Sequence, residues 1–426
     1  MNPNHSTDRR LLVVGQGYVG LPLTMRAVDV GYLVVGFDTD KVRIQRLSEG
    51  DSYVEDVAPL TVQTALGSGR YRPTADPDDC AGFDVAVICV PTPLLEGAPD
   101  LSTVVEAGRT VGSLLRPGCT VVLESTTYPG TTTELLLPIL EDASGLCAGE
   151  DFYLGYSPER IDPGNPRWNV ANTPKVVSGI DPASLAAVRQ FYDTLVEKTV
   201  VVSGTKEAEL AKLLENTFRH VNIALVNELA IFATGLGIDI WEVVEAAASK
   251  PFGFMSFTPG PGVGGHCLPI DPSYLAWRVE RQLGRPFRFV ALAKEINDEM
   301  PAYVVNRLMV GLNGRKKPVN GSRILLLGLA YKRDTGDARE SPAVAVARQL
   351  VDLGAQVRAA DPHVYPGFLM SGVTMVELSP EEVAHADAVV VLTDHSAFDP
   401  DVVAGGDYVL DTRNWLGQSG PHIERL

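Results

Sequence analysis

The chain has 426 residues, of which 45% are hydrophobic and 21% charged, the make-up of a globular protein too long for one ordinary core. Its net charge of −17 and pI near 4.9 exclude a surface that tracks nucleic-acid phosphates, which needs clustered cations. No apolar run approaches the ~20 residues of a membrane-spanning helix, so neither nucleic acid nor membrane is expected among its partners.

Residues 1–9 are polar. A short apolar run, Leu11–Val14, then leads into Gly15-Gln-Gly-Tyr-Val-Gly20, an amphipathic stretch to about Val30, and a second apolar run, Leu33–Phe37, that ends at Asp38. This order is a βαβ unit with a glycine-rich nucleotide fingerprint. Gly15 permits the tight turn, Gly17 lets the backbone approach a pyrophosphate, and Gly20 permits close helix packing. With Tyr18 and Val19 they form the helix start, whose amides and dipole favour phosphate. A carboxylate at Asp38 would accept the ribose hydroxyls and repel a 2′-phosphate, so NAD is expected rather than NADP.

Further strand-like runs follow at Val85–Val90, Thr120–Glu124 and Phe152–Tyr156, with helical stretches such as Leu101–Leu115 between them. The alternation predicts a doubly wound parallel sheet with ligand contacts at the carboxyl ends of its strands. Thr92 and Thr126 follow two of these runs and could line the cofactor cleft as hydroxyl donors. Glu159, in Tyr156-Ser-Pro-Glu-Arg160, ends another and is placed for general base work on water. Pairing with Arg160 is its bland alternative.

From Lys206 to Gly235 there is no proline, and apolar residues recur at helical spacing, which predicts an unusually long helix. Lys212 and Asn216 lie four apart on it and share one face, as does His220. A lysine beside an amide could stabilise an oxyanion, although a solvated face is the commoner meaning of such a pair. The loop Gly262-Val-Gly-Gly-His-Cys-Leu-Pro-Ile-Asp271 puts Cys267 among glycines, with Asp271 four residues beyond it. Cys267 could hold an aldehyde as a covalent adduct, provided that a cation offsets the carboxylate's upward pull on the thiol pKa.

After a basic linker (Asn313–Ser322), a second β-glycine-α pattern begins: Ile324–Leu327, Gly328, a helix near Ala343–Leu353, and a strand ending at Asp361. Lys332, Arg333 and Arg339 cluster near its glycine turn and would suit a diphosphate. The fold class is therefore α/β, with two Rossmann-like doubly wound domains bridged by a long central helix. The expected boundaries are 1–203, 204–313 and 314–426. Five scattered cysteines without a CxxC pair predict no metal site, and their odd number, with no secretory leader, fits the cytoplasm. Cys89 is most simply a buried strand residue.

Taken together, the fingerprint, the GGHCLPID loop and the segment GLAYKRDTGDARESP resemble the UDP-glucose/GDP-mannose dehydrogenase family over nearly the whole chain. The resemblance implies an NAD-dependent, four-electron oxidation of the C6 hydroxymethyl of a nucleotide-diphosphate hexose, in a homodimer formed through the central helix. It implies Cys267 as nucleophile, Asp271 as the water-ordering aspartate and Thr126 beside the reacting water. Lys212 and Asn216 match the oxyanion-stabilising pair, and Glu159 the strand-end glutamate. Glu159, Arg160, Lys212, Asn216, Phe257, Gly264, Lys332 and Arg339 would line the sugar nucleotide. Ile270 stands where the glucose-oxidising branch usually has lysine, and Pro163 where it has glutamate. Lys250–Gly262 looks more like enzymes of UDP-N-acetylhexosamines, so UDP- or dTDP-glucose and UDP-N-acetylglucosamine all stay open. A two-electron hydroxyacid-type dehydrogenase and a non-catalytic nucleotide-sugar sensor are the competing readings.

Overall fold

Strand and helix alternate from the first described residues. The computed structural model describes residues 9–54, 56–162, 165, 167–265, 268–364, 368 and 370–426. One compact unit holds residues 1–215 with 273–283, and a second holds 216–272 with 284–426.

In the first unit β1 (Arg10–Val14) leads through the glycine turn to α1 (Gly20–Asp29) and β2 (Leu33–Phe37). Then come α2 (Lys41–Ser48), α3 (Pro59–Gly67), β3 (Tyr71–Thr74), β4 (Val85–Ile88) and a two-residue hairpin, β5 (Leu94–Leu95) with β6 (Ala98–Pro99). After these follow α4 (Ser102–Ser113), β7 (Thr120–Leu123), α5 (Leu137–Ser144), β8 (Tyr153–Tyr156), β9 (Lys175–Gly179), α6 (Pro182–Leu195) and β10 (Thr199–Val201). The eight-stranded sheet has the order β10-β9-β8-β7-β4-β1-β2-β3. Its middle strands are apolar on both faces because helices cover both, and Leu12, Val13, Val87 and Val122 are fully buried. Each such side chain contributes about 1.5–3 kcal/mol of transfer free energy. Two expectations need correction. The strand read as Val85–Val90 stops at Ile88, leaving Cys89 half-buried just past it, and β9 runs antiparallel to β8 although the rest of that sheet from β8 to β3 is parallel.

The predicted long helix is α7 (Thr205–Leu236), 32 residues or about 48 Å at 1.5 Å per residue. It is followed by α8 (Ile240–Ala248), α9 (Asp271–Leu283) and α10 (Arg288–Gly314). The second sheet is wholly parallel, in the order β13-β12-β11-β14-β15-β16. Its strands are β11 (Arg323–Leu327), β12 (Gln356–Ala360), β13 (Val373–Met375), β14 (Ala388–Val391), β15 (Val409–Asp411) and β16 (Ile423–Arg425), with α11 (Pro342–Asp352) between β11 and β12. Period-two alternation sends Ile324 and Leu326 into one core, with Val304, Leu308 and Leu350, and Leu325 and Leu327 into another, with Val383 and Val403. Among the described residues no helix is long and apolar enough to cross a membrane.

Candidate active site

The glycine fingerprint has the shape that a dinucleotide requires. Gly15 has φ +94° and packs so closely on the next strand's exit that a Cβ there would stand 2.6 Å from the Cys89 carbonyl oxygen. A Cβ at Gly20 would stand 1.8 Å from the Gly15 oxygen, whereas one at Gly17 would meet nothing within 4 Å, so the turn is tight behind and open in front. Asp38 is buried, and its two oxygens accept from the Gln16 and Asp40 backbone N–H groups, each at 2.9 Å. Those bonds fix the carboxylate at the end of β2. Arg43 Nη1 lies 3.5 Å from it. The Tyr53 hydroxyl braces the turn by donating to the Gln16 carbonyl at 2.5 Å. Tyr18 is exposed and Val19 half-buried at the start of α1. This turn and Asp38 fit an NAD, with the ribose acceptor already oriented.

At the carboxyl ends of β4, β7 and β8 the sheet carries a charged cluster that sequence reasoning only partly found. Glu124 is 1% exposed and lies 2.5 Å from Lys175 Nζ, which lies 3.3 Å from Glu159 on its other side. Tyr192 donates to Glu124 at 2.6 Å, and the Cys89 thiol donates to it at 3.4 Å. Burial would discharge the lysine, but the carboxylates of Glu124 and Glu159 outweigh it and hold Lys175 above the ordinary lysine range. The Cys89 thiol is pushed up by burial and by Glu124, so it stays protonated. Glu159 Oε1 accepts from the Arg160 and Ile161 backbone N–H groups, at 2.6 and 2.5 Å. The bland pairing of Glu159 with the Arg160 guanidinium is therefore wrong, since that guanidinium pairs with Glu215 at 2.7 Å. The Thr92 hydroxyl donates to the Thr126 carbonyl at 2.8 Å, so its proton is committed within the protein. Lys175 and Tyr192 were missed because neither sits in a motif. The available signal was a lone lysine opening the apolar run Lys175-Val-Val.

On α7 the solvated-face reading fails: Lys212 is 8%, Asn216 5% and His220 3% exposed. Among the described residues Lys212 Nζ makes no hydrogen bond or ion pair; the side chain is buried along its stem while the nitrogen keeps some contact with solvent. Asn216 donates one amide hydrogen to Asp271 at 2.5 Å, which leaves its second hydrogen for a ligand. The His220 ring lies 3.5 Å from the Asn297 amide nitrogen, and burial pulls its pKa down, which suits a structural role. Phe257 is half-buried against Phe218, with ring centroids 5.8 Å apart. Cys267 lies outside the described residues. The glycines before it are required by close approach, because a Cβ at Gly264 would stand 2.7 Å from the Glu340 oxygen and one at Gly265 2.7 Å from the Tyr331 ring.

The second glycine turn differs from the first. Asp361 ends β12 as Asp38 ends β2, but its side chain is fully buried and Oδ2 accepts from the Leu329 and Ala330 N–H groups, at 2.7 and 2.9 Å. His395 Nε2 stands 3.1 Å from the same oxygen. These bonds, chiefly that from His395, hold the Asp361 carboxyl far below its ordinary range in spite of burial. A carboxylate thus caps two amides of this turn, and α11 begins only at Pro342, far beyond Gly328, so the turn does not open directly into a helix as the first one does. The basic cluster is also largely neutralised: Arg339 pairs with Asp337 at 2.9 Å and Arg333 with Asp394 at 3.2 Å, while Lys332 is half-buried on the same loop. The guanidinium that sequence reasoning missed is Arg413, beyond β15, which donates to the Leu392 carbonyl at 2.8 Å and lies against Gly260. Burial lowers its pKa even with Asp394 and Asp411 nearby. Asp334, His363 and His395 converge as three potential metal ligands. His395 Nδ1, however, accepts the Asp334 N–H at 2.9 Å, so both ring nitrogens are already engaged.

Residues 9–196 match the NAD binding domain of the UDP-glucose/GDP-mannose dehydrogenase family, 206–299 its central domain and 325–418 its UDP binding domain. The chain is 40% identical over 399 residues to the UDP-N-acetyl-D-glucosamine 6-dehydrogenase of Pseudomonas aeruginosa, with 92% of each chain covered. The UDP-D-ManNAc dehydrogenase structure from Pyrococcus horikoshii superposes with a TM-score of 0.88 at 32% identity, covering 98% of both chains. A UDP-glucose dehydrogenase from Pyrobaculum islandicum gives the same TM-score at 29% identity, covering 100% of this chain and 99% of its own.

Proposed function

The chain belongs to the UDP-glucose/GDP-mannose dehydrogenase family and is an NAD-dependent nucleotide-sugar 6-dehydrogenase, and on that premise we propose that it carries a UDP-N-acetylhexosamine from alcohol to uronate in two oxidations through Cys267. The relative of highest quoted identity acts, by its name, on UDP-N-acetyl-D-glucosamine. UDP- and dTDP-glucose are the competing substrates.

The observation that carries the chemistry is the ammonium of Lys212, on a buried stem and paired with no described residue. A cation in that condition awaits negative charge, and the charge arises on the substrate oxygen as the C6 alcohol and then the tetrahedral adducts react. NAD, when bound, accepts the hydride of each oxidation. Water ordered by Asp271 and Thr126 takes the C6 hydroxyl proton. The Cys267 thiolate adds to the aldehyde carbon, and Lys212 and the free amide hydrogen of Asn216 hold the resulting oxyanion. After the second oxidation a thioester remains on Cys267, and water beside Glu159 hydrolyses it to release the acid. Glu159 is suited to this role because two backbone donors and Lys175 fix its carboxylate.

In this reading the first domain (1–203) binds NAD, the last (314–426) binds the nucleotide, with Arg413 adding to Lys332, and the middle (204–313) forms a homodimer. Phe218, Leu225, Leu229, Phe232 and Leu236 are 44–74% exposed along α7, a patch that monomers rarely leave open. A cytoplasmic setting fits the four described cysteines, all of them free.

The test is stoichiometry across UDP- and dTDP-linked glucose and N-acetylglucosamine. Two NADH per sugar acid are expected, fastest with a UDP-N-acetylhexosamine, and Cys267→Ser should stop the second oxidation. One NADH per product would establish a two-electron dehydrogenase instead, and a Cys267→Ser enzyme with unchanged acid formation would remove the thiol from the reaction. NADH formation from none of the four sugars would favour a sensor.

A further inference from the structure

One carboxylate on α7 has no place in the mechanism and is nevertheless fully buried. Glu209 is 0% exposed, and acidic side chains are almost never found so without strong partners. It accepts three hydrogen bonds, from Gly130 N–H at 2.6 Å, Thr132 N–H at 2.9 Å and the Thr132 hydroxyl at 2.7 Å. All three donors belong to one turn. Among the described residues no cation bonds to Glu209 directly, since Lys206, one turn earlier on α7, pairs with Glu134 at 2.7 Å and acts on the buried carboxylate only through space. Burial raises the Glu209 pKa while these donors pull it back, so the carboxylate depends on them for its charge.

That turn follows Thr126. Gly130 has φ +104°, and residues Thr132–Leu136 form a single π-helical turn, a rare conformation that needs support at its open amino end. Glu209 supplies the support by satisfying two amides that the turn leaves without intrahelical partners. At its other end the segment is tied by Ser125 Oγ donating to the Val90 carbonyl at 2.7 Å and by Thr92 donating to the Thr126 carbonyl at 2.8 Å. Lys212 lies three residues beyond Glu209 on the same helix face. One carboxylate therefore joins the segment that bears Thr126 to the helix that bears Lys212.

We propose that Glu209 is a positioning residue of the reaction, fixing the Thr126 turn against the helix that presents Lys212. This rests on the roles given to Thr126 and Lys212 above. Nearby ion pairs do less, because Glu134, which holds Lys206 and Arg278, is 42% exposed and such pairs contribute little.

Glu209→Gln keeps the volume but turns an amide N–H₂ toward one of the three donors. A shift on the order of 1 Å at reacting groups can cost about a hundredfold in rate, so kcat is expected to fall roughly ten- to a hundredfold while the Kd for NAD stays within about twofold. In a Lys212→Ala background the same substitution should have almost no further effect, which a purely structural role would not produce. If the Gln variant does not fold, Thr132→Val, which removes only the hydroxyl donor, should lower kcat by a smaller factor with NAD binding intact. A folded Glu209→Gln enzyme with wild-type kcat, an undiminished effect in the Lys212→Ala background, or, where only it folds, a Thr132→Val enzyme with wild-type kcat would overturn the proposal. Failure of the wild-type stoichiometry and Cys267→Ser tests would instead remove the reading beneath it, so the two failures are distinguishable.

Discussion

Asp38→Ala tests the cofactor site at its most specific point. Each oxygen of Asp38 already accepts one backbone N–H at 2.9 Å, so the carboxylate is oriented and has lone pairs left for the two ribose hydroxyls. A hydrogen bond to a charged group contributes about 1.5–3 kcal/mol, and counting only one gives an NAD Kd weaker by roughly ten- to a hundredfold. The substitution acts on NADP in the opposite direction. It removes the repulsion of the 2′-phosphate and leaves Arg43, whose Nη1 lies 3.5 Å from the lost oxygen, free to pair with that phosphate. The preference for NAD over NADP should therefore narrow by about a hundredfold or more, combining these two effects. Calorimetric titration of wild type, Asp38→Ala and Asp38→Asn with both dinucleotides measures it. The Asn variant keeps an acceptor for one backbone donor and separates loss of charge from loosening of the turn. An unchanged ratio of the two dissociation constants would show that Asp38 does not meet the ribose.

Lys175→Met should be the most destabilising change at the strand ends, because it leaves Glu124 and Glu159 unbalanced; breaking a buried pair in this way costs about 3–5 kcal/mol. Urea denaturation followed by Trp fluorescence and circular dichroism reads it, and a loss below about 1 kcal/mol would mean that solvent already screens the cluster. For assembly, Leu229→Glu puts a charge on the exposed face of α7 and is expected to yield monomers in light scattering. A wild-type oligomer mass for that variant would move the interface elsewhere.

What could be read from the chain followed the strength of local constraint. The glycine fingerprint and Asp38 were legible because a turn with φ +94° and a Cβ-free approach admit few residue types. The long helix was legible from its apolar spacing, and the second sheet from the strand containing Ile324–Leu327. The direction of β9 was not, since a strand's residues record burial on its faces and not the sense of its neighbour. Lys212 and Asn216 could not be told from a solvated pair, because helical spacing gives the face but not what covers it. Lys175, Glu209 and Arg413 were missed for a shared reason: their partners lie 51, 77 and 21 residues away, and pairing across such separations leaves no local pattern.

The stoppered second turn bears on the timing of the whole reaction. With Asp361 already bonded to the amides of the second turn, the first turn is the dinucleotide berth among the described residues, and on the proposed reaction both oxidations would take place there. Spent NADH would then have to depart and fresh NAD arrive while the half-finished sugar waited, and an untethered aldehyde would be free to escape during that exchange. A sulfur leash on the sugar, as proposed for Cys267, would hold it through that exchange.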